Sequence, residues 1–313
     1  MKIGLDISGG DFAPRANVLG ALLAFELLPE SVSLYLIGKE DEINEILEEQ
    51  KAPLSDRLKV LHAPDTITME DHPTRAIPQK PKSSISVGFD LLSKGEINSF
   101  ASTGNTGAML VGAIYKVNSI PGVIRPCITS ILPKVTGGDS IILDVGANAD
   151  CKPDVLYQFA ILGSLYAKNV QNIDNPKVAL LNIGEEESKG NLLTQSAYKI
   201  MNDSKDFNFI GNIEGRDLFH GKADVIVCDG FTGNIVLKQA EGLYTLMLER
   251  GIHDEYIDRF NYENYGGTPI LGVNSDVIIG HGISNDVAVK NMVMHSYDVA
   301  KSGLTNKIKE AFK

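Results

Sequence analysis

Two short segments made of small residues, STGNTGA (102–108) and DGFTGN (229–234), each follow an apolar run and lead into a helical pattern. Glycines in such turns let the backbone approach a ligand closely. The N–H groups of a first helical turn attract anions through hydrogen bonds and the helix dipole. Phosphate is the ligand these turns predict. Two further junctions add a cation and a titratable ring: LNIGEEESKGN (181–191) with Lys189, and IIGHGIS (278–284) with His281. Each junction alone also reads blandly. Asn, Thr and Gly cap helices in any protein, Lys189 after three glutamates reads as a solvated, charge-balanced turn, and His281 as a hydrogen-bonded structural ring. Their repetition after successive apolar runs is what points to an anion site.

Several chemistries lack their residues. No GxxxxGK[ST] string occurs and no GxGxxG follows the first apolar run, since IGLDISGGD pairs its glycines at another spacing. No GxSxG nucleophile elbow is present. Cys127, Cys151 and Cys228 have no CxxC or Cys/His spacing, so they read as reduced, buried thiols. A net charge of -11 argues against nucleic acid and anionic lipid as partners. One stretch runs the other way. Between Asp71 and Asp139 the intervening acids are Asp90 and Glu96, against Arg75, Lys80, Lys82, Lys94, Lys116, Arg125 and Lys134.

These residues need a scaffold. The strand-like runs KIGLD, SLYLIG, LKVLHA, SFAST, SIILDVG, KVALLNIG, ADVIVCDG and SDVIIGHG alternate with helical patterns such as NVLGALLAFELL and DVLYQFAILGSLYA. That alternation predicts an α/β fold with a largely parallel sheet covered by helices, whose ligands bind beyond the carboxyl ends of the strands. In the first helix Leu19, Leu22, Leu23, Phe25 and Leu27 are expected in the core. The longest irregular segment is expected at 64–82, and long loops are more often functional than idle. The amino terminus lacks the apolar region of a signal peptide and no stretch approaches the ~20 apolar residues of a membrane span, which predicts a cytoplasmic protein.

With these motifs in view the chain resembles the phosphate acyltransferases, which convert acyl-acyl-carrier-protein and phosphate to acyl phosphate for phospholipid synthesis. The resemblance runs through DISGGDFAP, KSSISVG, STGNTGAML, GVIRPCITSILP, ILDVGANADCKP, ALLNIGEEESKGN, GNIEGRDL, VIVCDGFTGNIVLK and YGGTPILGV before HGIS. It implies one phosphate acyltransferase domain over 1–313, with a three-layer, doubly wound, mostly parallel sheet like those of phosphate acetyltransferases and isocitrate dehydrogenases. It also implies a homodimer joined through the carboxyl-terminal half, no cofactor and no metal. Acyl carrier protein and inorganic phosphate are the implied partners, and a glycerol-3-phosphate acyltransferase the downstream consumer. An isocitrate-type dehydrogenase would need an acidic metal cluster that Glu185 and Asp229 do not make. A noncatalytic scaffold for the carrier would need only the basic stretch.

The same resemblance assigns roles. Lys189 and Asn234 are the expected catalytic pair. Phosphate or substrate contacts are expected from Gly9, Gly10, Asp11, Ser83, Ser84, Asn105, Thr106, Gly107, Asp144, Asn148, Gly184, Glu185, Asp229, Gly230, Phe231, Thr232, Gly233, His281 and Gly282. Among these, Asn105 and Thr106 bind ground-state phosphate. Lys116, Arg125 and Lys134 are expected to dock the acidic carrier. Ser8 stands where the family usually has Met, and the cations near Pro78 and Gln79 are Arg75, Lys80 and Lys82 in place of the family's Arg. The segment 234–265 is shorter than the family's membrane-dipping helical hairpin. Its Leu243, Leu246, Met247 and Leu248 are expected to form one apolar stripe, giving weak peripheral membrane contact.

Overall fold

The computed structural model describes residues 1–52 and 54–313. They form two compact units, Met1–Ser119 with Tyr262–Lys301, and Ile120–Asn261 with Ser302–Lys313. The first unit begins with β1 (Lys2–Asp6), α1 (Arg15–Leu27), β2 (Ser33–Gly38), α2 (Glu40–Glu49) and β3 (Leu58–His62). It continues with α3 (Pro73–Gln79), α4 (Ser84–Ser93), β4 (Ser99–Ser102) and α5 (Thr106–Gly112). The second contributes β5 (Cys127–Pro133), β6 (Asp139–Leu143), α6 (Pro153–Asn169) and β7 (Lys177–Leu181). After these come α7 (Leu192–Asn202), β8 (Asn208–Ile213), β9 (Val225–Val227) and α8 (Gly230–Glu249). The chain returns to the first unit with β10 (Gly267–Leu271), β11 (Asp276–Gly280) and α9 (Asp286–Ser302), then ends with α10 (Leu304–Ala311), which packs on α6.

Within the first unit the strand order is β3-β2-β1-β4-β11-β10, parallel except for β10 against β11. Within the second it is β5-β6-β9-β7-β8, parallel except for β5 against β6. The α/β, mostly parallel reading therefore holds. Strands covered on both faces read as continuous apolar runs, and every residue of β4 and β9 is buried. From β1 the chain winds outward through β2 to β3 and then places β4 on the other side of β1. Such a reversal opens a crevice beyond the strands' carboxyl ends.

Three local expectations change. Residues 64–82 are not wholly irregular, because α3 forms inside them. Pro73 opens this helix where a missing N–H costs nothing, and Pro78 comes only one residue before its end. Leu23 and Leu27 of α1 are exposed at 40% and 60%, while the buried face is Ala16, Gly20, Ala21 and Ala24. Small residues are needed there because α9 passes so close that a Cβ on Gly20 would lie 2.6 Å from the Asp286 carbonyl oxygen. The expected stripe on 243–248 also divides. Leu243, Leu246 and Leu248 are all exposed, and of these only Leu243, together with Met247, borders a cavity. Among the described residues no helix is long and apolar enough to cross a membrane.

Candidate active site

At the carboxyl end of β1, Asp6 is fully buried and organises the turn that follows. Its Oδ1 accepts the Ser8 N–H at 2.9 Å, and its Oδ2 accepts the Ser102 hydroxyl at 2.6 Å. Ser84 adds a further hydrogen bond. Burial raises the Asp6 pKa, and these hydrogen bonds oppose the rise. A Cβ on Gly9 would lie 2.4 Å from Asp6 Oδ2 and 2.7 Å from the Gly104 Cα, so the turns after β1 and β4 meet where only glycine fits. Gly10 has φ +97°, and the Asp11 N–H donates to the Gly282 carbonyl at 2.7 Å. The structure thus brings Gly9, Gly10, Asp11 and Gly282 together with the turn at 102–107. The His281 ring packs against Tyr262, the ring centres 5.1 Å apart and the planes tilted by 57°.

Asn105 does something other than expected. Its Oδ1 caps α5 by accepting the Ala108 N–H at 2.9 Å, and its Nδ2 donates to the Thr68, Met69 and Asp71 carbonyls. A side chain so committed ties the 68–71 segment to α5 and keeps no donor for phosphate. Thr106 beside it is exposed. Gly107 is held by packing, since a Cβ there would meet Pro73 Cγ at 2.4 Å. Ser83 caps α4 and donates its own hydroxyl to Ser86. Sequence reasoning missed Asp6, Asn17, Ser102 and Thr103 as members of this network. Asn17 Nδ2 ties down the Asp6, Ile7 and Gly9 carbonyls, and Thr103 Oγ1 donates to Gly9 O at 2.9 Å. Asn17 sits unmarked in a helix, whereas Asp6 had a signal: LDI at 5–7 matches LDV at 143–145.

The second unit repeats the device. Asp144, fully buried just past β6, accepts the Ile128 N–H at 3.0 Å and the Ala147 N–H on Oδ1, and the Asn148 N–H at 2.6 Å on Oδ2. Burial raises its pKa too, again against these bonds. Asp144 and Asn148 therefore shape the turn rather than face solvent. The Asn148 carbonyl accepts the Gly230 N–H at 2.8 Å, and a Cβ on Gly233 would lie 2.0 Å from the Asp144 carbonyl oxygen. Asp229 caps α8, bonding the Thr232 N–H at 2.8 Å and the Thr232 hydroxyl at 2.9 Å. That carboxylate already occupies the helix start, so the turn is not the open anion cradle expected from its glycines. Phe231 and Asn234 project outward, with the Asn234 side chain 3.6 Å from where a Cβ on Gly146 would stand. Burial, with help from Asp144 and Asp229, pushes the Cys151 thiol up to about 12, and Cys127 and Cys228 also lie well above their ordinary value. None of the three is an activated nucleophile.

Beyond β7, which neighbours β9, Lys189 crosses Gly184 so closely that a Cβ there would be 2.7 Å from Lys189 Cγ. Its N–H donates to Glu186 O, its carbonyl accepts from Asn182 Nδ2 at 3.2 Å, and Asn191 caps α7. Glu185 pairs with Lys222 at 2.7 Å. The basic residues are also engaged. Lys116 pairs with Asp90, and Arg125 donates to Asp150 O. Lys134 pairs with Asp224 at 2.7 Å with only 12% of its side chain exposed, so most of its charge is spent internally.

Buried aspartates that fix glycine turns beyond the carboxyl ends of strands define the class, an α/β protein with tightly held strand-end turns in each unit. Solved structures share the fold. A phosphotransacetylase from Streptococcus pyogenes aligns with TM-score 0.67 and 18% identity over 96% of this chain and 94% of its own. The EutD phosphotransacetylase from Staphylococcus aureus aligns with TM-score 0.64 and 18% identity over the same shares. Nearer relatives are the phosphate acyltransferases of Dictyoglomus turgidum, 41% identical over 99% of this chain and 97% of theirs, and Thermoanaerobacterium thermosaccharolyticum, 39% identical over 98% and 96%. A family model described as fatty acid synthesis protein matches residues 1–255. The chain belongs to this family, and it is an acyltransferase whose chemistry involves phosphate.

Proposed function

We propose that the chain moves a long-chain acyl group from acyl carrier protein onto inorganic phosphate, and that the acyl phosphate feeds glycerol-3-phosphate acylation in phospholipid synthesis. One observation carries the reading. Neither the Lys189 ammonium nor the Asn234 side-chain amide has a partner among the described residues, and both side chains are exposed beside turns held by internal hydrogen bonds. Exposed donors without a protein partner are available to substrate. Phosphate attacks the thioester carbonyl, a C–O bond forms, and the C–S bond breaks. The proton carried by monohydrogen phosphate ends on the departing thiolate, whose pKa of ~8.5 makes it a competent leaving group without a metal. The difficulty is charge, since the attacking anion meets a carbonyl oxygen that itself becomes negative. Lys189 neutralises one charge, and Asn234 donates a hydrogen bond without adding any.

Thr106 is the proposed ground-state phosphate contact, and Asn105 drops out because its side chain is spent. Lys116 and Arg125 are the proposed carrier-docking residues, with Lys134 the weakest of the three. A homodimer joined through the carboxyl-terminal half suits the exposed Ile235, Leu246 and Ile252, and the protein is placed in the cytoplasm with weak peripheral membrane contact. The decisive experiment incubates purified protein with long-chain acyl carrier protein and phosphate and traps acyl phosphate with hydroxylamine. Phosphate-dependent hydroxamate is expected, and its absence with a folded protein sinks the proposal.

A further inference from the structure

A cavity of about 530 Å³ lies along α8 in the second unit, within the ~300–1,000 Å³ of ordinary small-molecule sites. Val236, Ala240, Leu243 and Met247 form its floor at spacings of four, three and four, which is one face of a helix. Phe219 and Phe260 stand opposite, edge to face at 5.3 Å. No Lys, Arg, Asp or Glu lines it. The far wall is pinned and does not fall inward. The Tyr256 hydroxyl donates to Pro133 O at 2.9 Å, and Arg259 holds the Lys134 carbonyl at 2.9 Å and the Asp139 carboxylate at 2.8 Å. Water in such a space finds few partners, so an apolar guest is favoured.

We propose that this cavity holds the alkyl chain of the acyl substrate, a site that rests on the acyl-transfer reading above. Two features select a long unbranched chain. Eleven residues separate Val236 from Met247, a run of about 17 Å at 1.5 Å per residue. The lining matches an uncharged guest along that length.

Calorimetry on the full-length protein tests this with hexadecylphosphonate and butylphosphonate, alkyl chains on a phosphate-like head. Wild type should bind the hexadecyl probe at least tenfold tighter, with the negative heat-capacity change of apolar burial. Ala240→Trp fills the cavity and should weaken the hexadecyl probe at least tenfold while sparing the butyl one. Lys238→Trp, on the exposed face of α8, should do neither. Should Ala240→Trp fail to fold, Leu243→Gln places a polar group at the same wall and should give the same loss. Equal binding of both probes by wild type overturns the proposal, as does unchanged hexadecyl binding by a folded Ala240→Trp. A variant that keeps the probe but sediments at half the wild-type mass would assign the cavity to a second copy. One that loses only flotation with anionic vesicles would assign it to a membrane, and either result also overturns it. Chain-length-dependent binding without any hydroxamate in the trapping assay would instead strike the acyl-transfer reading and leave the cavity standing.

Discussion

Replacing Lys189 with Met removes one ammonium while keeping most of the stem that lies across Gly184. The residue is exposed and makes no ion pair among the described residues, so folding stability should move by no more than ~0.5 kcal/mol. Catalysis should move far more. Losing one preorganised donor to a developing oxyanion raises the barrier by ~2.7–4 kcal/mol, which at ~1.36 kcal/mol per tenfold is a fall in kcat of about a hundred- to a thousandfold. If the ammonium acts chiefly in the transition state, kcat and kcat/KM fall together and KM stays near its wild-type value. Hydroxamate trapping at saturating acyl carrier protein and phosphate reads kcat, and urea unfolding reads stability. A folded Lys189→Met with kcat within threefold of wild type would refute the assignment. A large loss of stability would show that the turn needs the charge to fold, which the absence of any ion pair argues against.

Other expectations follow from the same geometry. Asn234→Ala should fold normally and lose a comparable factor in kcat, whereas Thr106→Ala should chiefly raise the phosphate concentration needed for half-maximal rate. Gly233→Ala should lose ~1–3 kcal/mol or more of stability and so lower the urea midpoint, because its Cβ would overlap the Asp144 carbonyl oxygen and no rotamer relieves a backbone clash. A wild-type midpoint would contradict the packing described. Burial holds the His295 pKa down to about 4 from 6.5, so the unfolded chain takes up a proton that the fold refuses. Stability should therefore fall as pH drops from 6.5 towards 4, by up to about 3 kcal/mol at ~1.36 kcal/mol per unit. The difference between wild type and His295→Gln across that window isolates the effect from Asp6 and Asp144. Their raised pKa values act oppositely, losing stability as pH rises from the ordinary 3.8. Charge reversal at Lys116 and Arg125 should raise the apparent KM for acyl carrier protein at low salt, an effect that disappears as salt screens it.

The sequence by itself determined the fold class, because parallel strands buried on both faces must be continuous apolar runs, and eight such runs are strands. It also placed the small-residue turns beyond those strands, since glycines and helix caps act over a few residues. The strands it left unmarked are β5, β8 and β10, where Thr, Asn, Gly or Pro break the apolar signal and pairing partners decide the conformation. Which polar side chains are spent and which are idle was settled only by tertiary structure. Asn105 reads like a ligand until it meets three carbonyls 34 to 37 residues away, and Lys134 reads like a docking cation until it meets Asp224, 90 residues on. Asp6 and Asp144 acquire their roles from burial and from N–H groups and hydroxyls brought by other strands and turns. A side chain's type is local information, but its hydrogen-bond partner is chosen by the folded chain. Lys189 and Asn234, the proposed pair, differ from Asn105 and Lys134 in having no protein partner among the described residues, and only the folded chain decides that.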